Sequence, residues 1–227
     1  MHIHWTYRFL LLAGCLLAFS LASAQRGQQV PQIGLGATAI TYAGDFTDPE
    51  TQFQRVYPGF DLILRSAQDR RFASQLTLGT GRFVEQFDGN VPPTPPDVEL
   101  PDFVDTRFLY GDLRVYYHPV PEFVVDPFIG VGAGLIYFTP RDKDGRLLTR
   151  NSATRAEGER YNPIIPQLPI QGGVRFRLND FLKLGTAYTY RFVPSDYLDN
   201  IGNLGTRSGF DALHAVQLTL WVNLGTP

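Results

Sequence analysis

The sequence predicts an all-β fold, an eight-stranded antiparallel up-and-down barrel. Three observations predict it. Eight stretches alternate apolar and polar residues with period two, and helical periodicity is scarce. The connections between these stretches alternate strictly between short and long. Asp, Arg, Lys and Gln fall in the middle of strands and keep to one face.

The N-terminus stands apart from this pattern. Arg8 closes a short polar stretch, Phe9 to Ala22 is almost unbroken apolar sequence, and Ala22-Ser23-Ala24 has the small-x-small form of a cleavage site. Residues 1–24 are therefore read as a cleaved secretory signal peptide, and residues 25–227 as one barrel domain. Leu12-Ala13-Gly14-Cys15 offers a rival reading as a lipoprotein box. The apolar run continues past Cys15, however, where a lipoprotein has a polar tether. Cys15 is the only cysteine, so the exported part has no disulfide and must be held by burial or by sheet closure. A net charge of −2 implies no bulk attraction to nucleic acid. After the signal no run reaches the roughly 18 apolar residues of a membrane helix, which leaves membrane-crossing strands possible.

The strands are placed at 32–43, 56–66, 71–86, 106–118, 127–139, 166–178, 181–193 and 211–224. In the second, Phe60, Leu62 and Leu64 oppose Asp61 and Arg65. In the fourth, Leu109, Leu113, Val115 and Tyr117 oppose Tyr110, Asp112, Arg114 and Tyr116. In the fifth, Ile129, Val131, Ala133, Leu135 and Tyr137 oppose Gly130, Gly132 and Gly134. In the sixth, Val174, Phe176 and Leu178 oppose Gln171, Arg175 and Arg177. In the seventh, Leu182, Leu184, Tyr188 and Tyr190 oppose Lys183, Thr189 and Arg191. In the last, Val216, Leu218, Leu220 and Val222 oppose Gln217, Thr219 and Asn223.

Ala67–Arg70, Pro119–Glu122 and Asn179-Asp180 are the short connections. Gly44–Arg55, Phe87–Asp105, Pro140–Ile165 and Pro194–Phe210 are the long ones. Outer-membrane barrels show this asymmetry, with short periplasmic turns and long outer loops.

Two geometries fit a sheet with one charged and one apolar face. Either the apolar face meets lipid and the charges fill the lumen, or the apolar face is the core and the charges face water. Three features favour the first. Glycines lie on the charged face, as a narrow lumen filled by Arg and Tyr requires. Tyr and Phe rim the apolar face like an aromatic girdle. The exported part has neither disulfides nor helices to cover a sheet. Closure also gives every backbone N–H and C=O a partner in lipid. The expected fold is thus a transmembrane barrel.

The pieces DPFIGVGAGLIYF (126–138), VRFRLNDFLKLGTAYTYRF (174–192) and HAVQLTLWVNLG (214–225) resemble the small outer-membrane barrel family that includes the OmpA N-terminal domain and OmpX. SDYLDNIGN (195–203) resembles the last outer loop of Bacteroidetes-type barrels, including relatives of a type IX secretion component. The resemblance implies an integral protein of the cell outer membrane. Its implied partners are outer-membrane lipid and lipopolysaccharide, the barrel-assembly machinery, and a surface or periplasmic protein; no nucleic acid is implied. Members of the family usually end in an aromatic residue, whereas Trp221 is the nearest here, so the assembly signal is expected to be atypical. No peptidoglycan-binding domain follows, so wall anchoring is not expected.

The lumen-facing set is Asp61, Arg65, Asp112, Arg114, Arg175, Arg177, Lys183 and Arg191. It reads either as a gated pore or ligand site, or as a salt-bridged plug. An eight-stranded interior is just wide enough for side chains to fill, which favours the plug. Some barrels of this size act on lipid A, which needs a His, a Ser and an orienting carboxylate. His118 and His214 are the candidates, but no Ser lies two residues from either, so no catalytic residue is expected. Asp142-Lys143-Asp144-Gly145 matches only a fragment of a calcium loop and reads as a surface turn, so no metal or other cofactor is expected.

The second outer loop is acidic and stiffened by Pro92, Pro93, Pro95, Pro96 and Pro101, with Asp97, Glu99, Asp102 and Asp105. The third is basic, with Arg141, Lys143, Arg146, Arg150, Arg155 and Arg160. These loops are either a binding surface or simply solvated charge. The expected function is structural or surface interaction, without catalysis. Three alternatives stand: a barrel subunit of a secretion or surface-assembly complex, a lipid A-modifying enzyme, and a soluble barrel holding a small apolar ligand.

Overall fold

The computed structural model describes residues 31–44, 52–67, 71–86, 103–121, 123–150, 161–195, 197–198 and 210–224. Eight strands follow one another: β1 (Gln32–Ala43), β2 (Tyr57–Ala67), β3 (Phe72–Gln86), β4 (Phe103–Tyr117), β5 (Val125–Arg141), β6 (Ile164–Arg177), β7 (Leu182–Val193) and β8 (Asp211–Asn223). Each pairs antiparallel with the next, and β8 returns to β1 to close the barrel. The closing ladder runs from Gln32↔Asn223 to Ala43↔Ala212. It is fastened at its foot by Gln32 Nε2 donating to Asn223 Oδ1 at 2.9 Å and by Leu224 N donating to Pro31 O at 2.9 Å.

The alternation assigns the faces as the sequence predicts. Leu35, Phe60, Leu62, Leu64, Leu109, Val115, Ile129, Val131, Leu168, Ile170, Val216 and Leu218 are exposed on the outside. Asp61, Asp112, Arg114, Gln167, Gln171 and Arg191 are buried inside. An ordinary soluble barrel has the reverse arrangement. The glycines explain how the bulky interior fits. A Cβ on Gly130 would meet the Tyr116 ring, and one on Gly79 would meet Asp61 Oδ1 and the Tyr110 ring. Gly111 and Gly172 are the outward-facing exceptions.

Three strands run further than the sequence predicts. β4 begins at Phe103 because Gln86↔Phe103, Glu85↔Val104 and Val84↔Asp105 extend its ladder with β3. Asp105 is therefore a buried strand residue holding Arg82 Nε at 2.7 Å, not part of the acidic loop. β5 reaches Arg141, so that residue also leaves the third loop. β6 starts at Ile164 and carries Pro166 and Pro169 within it. Between Val131↔Ile170 and Gly134↔Gln167 the β5–β6 ladder breaks, at the point where Pro169 has no N–H to give.

Of the outer loops, Pro92, Pro93, Pro95, Pro96, Asp97, Glu99, Pro101, Asp102, Arg155 and Arg160 lie outside the described residues. The segment at 142–146 is the turn the sequence predicts. Asp142 Oδ1 accepts from the N–H groups of Asp144 and Arg146 at 2.9 and 2.8 Å, and Gly145 takes φ 77°, a conformation glycine adopts without steric cost.

Candidate functional site

The lumen is layered along the barrel axis, and the layers differ in chemistry. At the long-loop end it is apolar. Ile40, Tyr42, Phe83, Phe108, Ile136, Phe138, Val193 and Leu213 point inward and pack together. Tyr42 stacks on Phe83 with centroids 4.1 Å apart. Leu198, from the last long connection, completes this cluster. Its N–H donates to Asp211 Oδ2 at 3.1 Å, and its C=O accepts from Thr106 Oγ1 at 2.7 Å. The other Asp211 oxygen accepts from Tyr42 OH at 2.6 Å. One buried carboxylate thereby latches a loop residue over the lumen. The lumen is therefore not polar throughout, as the sequence pattern predicts. Segments such as 136–138 are apolar on both faces, and alternation alone cannot mark their inward members.

The middle layer is ionic. Asp112 accepts from Arg114 Nε at 2.5 Å and Nη2 at 2.9 Å, and from Arg191 Nη1 at 2.6 Å. Arg191 also lies 3.7 Å from the Tyr110 ring centroid and donates to Gln167 Oε1 at 3.2 Å. Arg114 Nη1 donates to Tyr116 OH at 3.3 Å, and Tyr116 OH donates in turn to Gln171 Oε1. Gln171 Nε2 donates to Thr189 Oγ1 at 2.8 Å and to Gln217 Oε1 at 3.1 Å. Gln217 Nε2 then reaches Asp61, which also accepts from Tyr110 OH and from Thr38 Oγ1 at 2.8 Å. Asp61 is thus satisfied by neutral donors and makes no ion pair among the described residues. The amides of Gln167, Gln171 and Gln217 complete the network. Their lumen parity was legible in the sequence, but only charged residues were singled out there.

At the short-turn end lies a second ionic group. Asp126 accepts from Arg175 Nε at 3.1 Å and from Arg175 Nη2. It also lies 2.7 Å from His118 Nδ1. Arg175 Nη1 crosses to Gln32 Oε1 at 3.3 Å. Arg65 Nη2 bonds His118 Nε2, so that nitrogen is the acceptor and Nδ1–H faces Asp126. The Arg65 guanidinium lies 4.8 Å from the Tyr116 ring centroid and 5.6 Å from that of Trp221, and among the described residues no carboxylate is in ion-pair contact with it. His118 sits in the β4–β5 turn, just beyond β4, and is buried. Burial, with Arg65 and Arg175 nearby, holds its imidazole below the usual pKa against the pull of Asp126.

Six of the eight singled-out charges therefore line the lumen, in two groups rather than one. Asp61, Asp112, Arg114 and Arg191 share the middle network. Arg65 and Arg175 belong to the short-turn group. Lys183 is half-buried at that rim, and Arg177, directly across the ladder from it, is exposed to solvent rather than enclosed. Arg177 is too near the end of β6 for the barrel wall to cover it.

His214 lies outside the barrel. Its Nδ1 is 2.5 Å from Tyr188 OH, and it packs against the rings of Tyr190 and Phe53 at 5.1 and 5.5 Å. Among the described residues no carboxylate bonds it. Nearby, Ala37 and Ala39 leave a furrow of about 520 Å³ flanked by Val216, Leu218 and Pro58. Among the described residues no group of acids, His or Cys has the makings of a metal site.

No protein-family profile matches the sequence, and no curated protein matches it. Solved structures do match. Neisserial surface protein A is 10% identical with a TM-score of 0.54, and the match covers 86% of this chain and 97% of that one. Ail of Yersinia pestis, solved with the heparin analogue sucrose octasulfate, is 14% identical with a TM-score of 0.48, covering 86% and 99%. The N-terminal β-barrel domain of Pseudomonas aeruginosa OprF is 9% identical with a TM-score of 0.43, covering 86% and 99%.

Proposed function

We propose that this chain, which has the fold of the small eight-stranded outer-membrane barrels, is an integral outer-membrane protein with a structural or surface-interaction role and no catalysis. One observation carries the reading: an apolar exterior surrounds an interior that holds a buried ionic network. Leu35, Phe60, Leu109 and Val131 are each more than half exposed, while Asp61, Asp112, Arg114 and Arg191 are almost fully buried. In water this arrangement would leave a very large greasy surface uncovered. In a bilayer the same surface is solvated by acyl chains, and the closed ladder leaves no edge. The strands, 11 to 17 residues long, meet or exceed the roughly 9–11 needed to cross. Aromatics gather at both ends of the exterior. Phe72 and Tyr117, Phe176 and Phe181 sit toward the short turns, and Tyr137, Tyr188 and Phe210 toward the long loops.

Under this reading the short turns face the periplasm and residues 1–24 are removed on export. The lumen is a plug: the apolar cap seals one end and the ionic network fills the rest. The test is fractionation of cells producing the full chain. The protein should appear in the outer-membrane fraction and migrate faster on a gel unheated than boiled. Recovery in the soluble fraction without detergent would sink the reading.

A further inference from the structure

Among the described residues, the short-turn mouth holds more positive charge than the carboxylates there neutralise. Arg65, Arg175, Arg177 and Lys183 converge there from β2, β6 and β7, and Lys183 lies in the electrostatic field of the other three and of Asp126. Asp126 is the sole carboxylate in ion-pair contact with any of them among the described residues, and Arg175 and His118 already share it. Asp180, in the turn between Arg177 and Lys183, makes no ion pair among the described residues.

Two independent features mark this excess as unresolved among the described residues. Arg177 and Lys183 are direct cross-strand partners, and like charges placed opposite each other destabilise a sheet. Arg65 is about nineteen-twentieths buried, yet its Nη1 has no hydrogen-bond partner among the described residues. Leaving a buried charged donor unmet is costly, and other buried charged groups of this lumen, such as Arg114 and Arg191, have carboxylate partners.

We propose that this mouth is an anion site for a phosphate group, with Lys183 and Arg177 as its outer contacts and Arg65 and Arg175 supplying charge from within. A phosphate suits the set because it brings one or two negative charges and several acceptor oxygens to donors on different strands. The phosphate could belong to a soluble ion or to the headgroup of a phospholipid in the adjoining leaflet. The site itself does not depend on the membrane reading; only the lipid source does.

The experiment uses the purified full barrel in zwitterionic micelles. Inorganic phosphate and, separately, short-chain phosphatidylglycerol are titrated in by calorimetry, with short-chain phosphatidylcholine as the control. Wild type should bind at least one of the first two saturably. Removing two charge-assisted contacts in the double variant Arg177→Gln/Lys183→Gln should weaken that binding by about tenfold or more. Arg107→Gln, at the opposite end, should bind as wild type does. Binding of phosphate alone assigns the site to the soluble ion; binding of phosphatidylglycerol alone assigns it to the headgroup. The double variant breaks no ion pair among the described residues, so it should fold. Its unfolding midpoint should rise less with added ligand than that of wild type at the same concentration. Absence of saturable binding to both ligands, or undiminished binding by the double variant, would overturn the proposal even if the protein fractionates with the outer membrane.

Discussion

Asp112 shows what a single buried charge does here. It is the shared acceptor for two guanidiniums on β4 and β7, and Gln167 Nε2 approaches it at 3.5 Å. Asp112→Ala would leave Arg114 and Arg191 as buried cations without a carboxylate. The expected loss is about 3–5 kcal/mol, read as a lower urea midpoint for the barrel in lipid or detergent. His118 gives a pH signature. Its folded pKa lies below the usual imidazole value, so the unfolded chain binds the proton first as pH falls. The stabilising contribution is therefore present above about pH 6.5 and is lost as pH drops below it. Wild type should lose stability relative to His118→Gln between pH 8 and pH 5. A difference that stays constant across that range would contradict the assignment.

Within one element, neighbouring positions answer to opposite environments. In β5, Gly130 faces the lumen under the Tyr116 ring, and Val131 faces outward, 57% exposed. Gly130→Val would drive side-chain atoms into that ring and should cost about 1–3 kcal/mol by overpacking. Val131→Arg touches nothing inside, but near the middle of the band it should cost about 2–4 kcal/mol in a bilayer. Refolding into vesicles, followed by urea titration of both variants, separates the two effects. If Val131→Arg were harmless, the outer face of β5 would not be in lipid. The element scale is also where the sequence reading was most complete. Period-two alternation gave all eight strands, because a closed sheet with unlike faces imposes its polarity on every residue. It was least complete at the ends of β4, β5 and β6. There the prolines and the acidic residue Asp105 resemble loop sequence, while cross-strand partners keep the chain extended.

For the whole molecule, the two ends of the lumen differ. At the long-loop end inward rings pack together with Leu198, held by Asp211 and Thr106. The short-turn end is open enough to leave Arg177 exposed. Reconstituted into planar bilayers, the barrel should show no steady porin-sized conductance. A stable large current would mean that the apolar cap and the Asp112 network open together.

The sequence by itself determined the strand number, the alternation of short and long connections, and which face of each alternating strand is the polar one. Those properties are local, because each residue's face follows from its place in a two-residue repeat. Only the tertiary structure decided which lumen charges meet. Arg175 and Arg191 have the same parity and lie on adjacent strands. Yet one binds Asp126 with His118 and the other binds Asp112 with Arg114. Gln217 reaches Asp61 across 156 residues of chain, and Arg175 reaches Gln32 across 143. Alternation reports the face a residue occupies but not its height along the axis. Height is set by the stagger of the closed sheet, a property of all eight strands together.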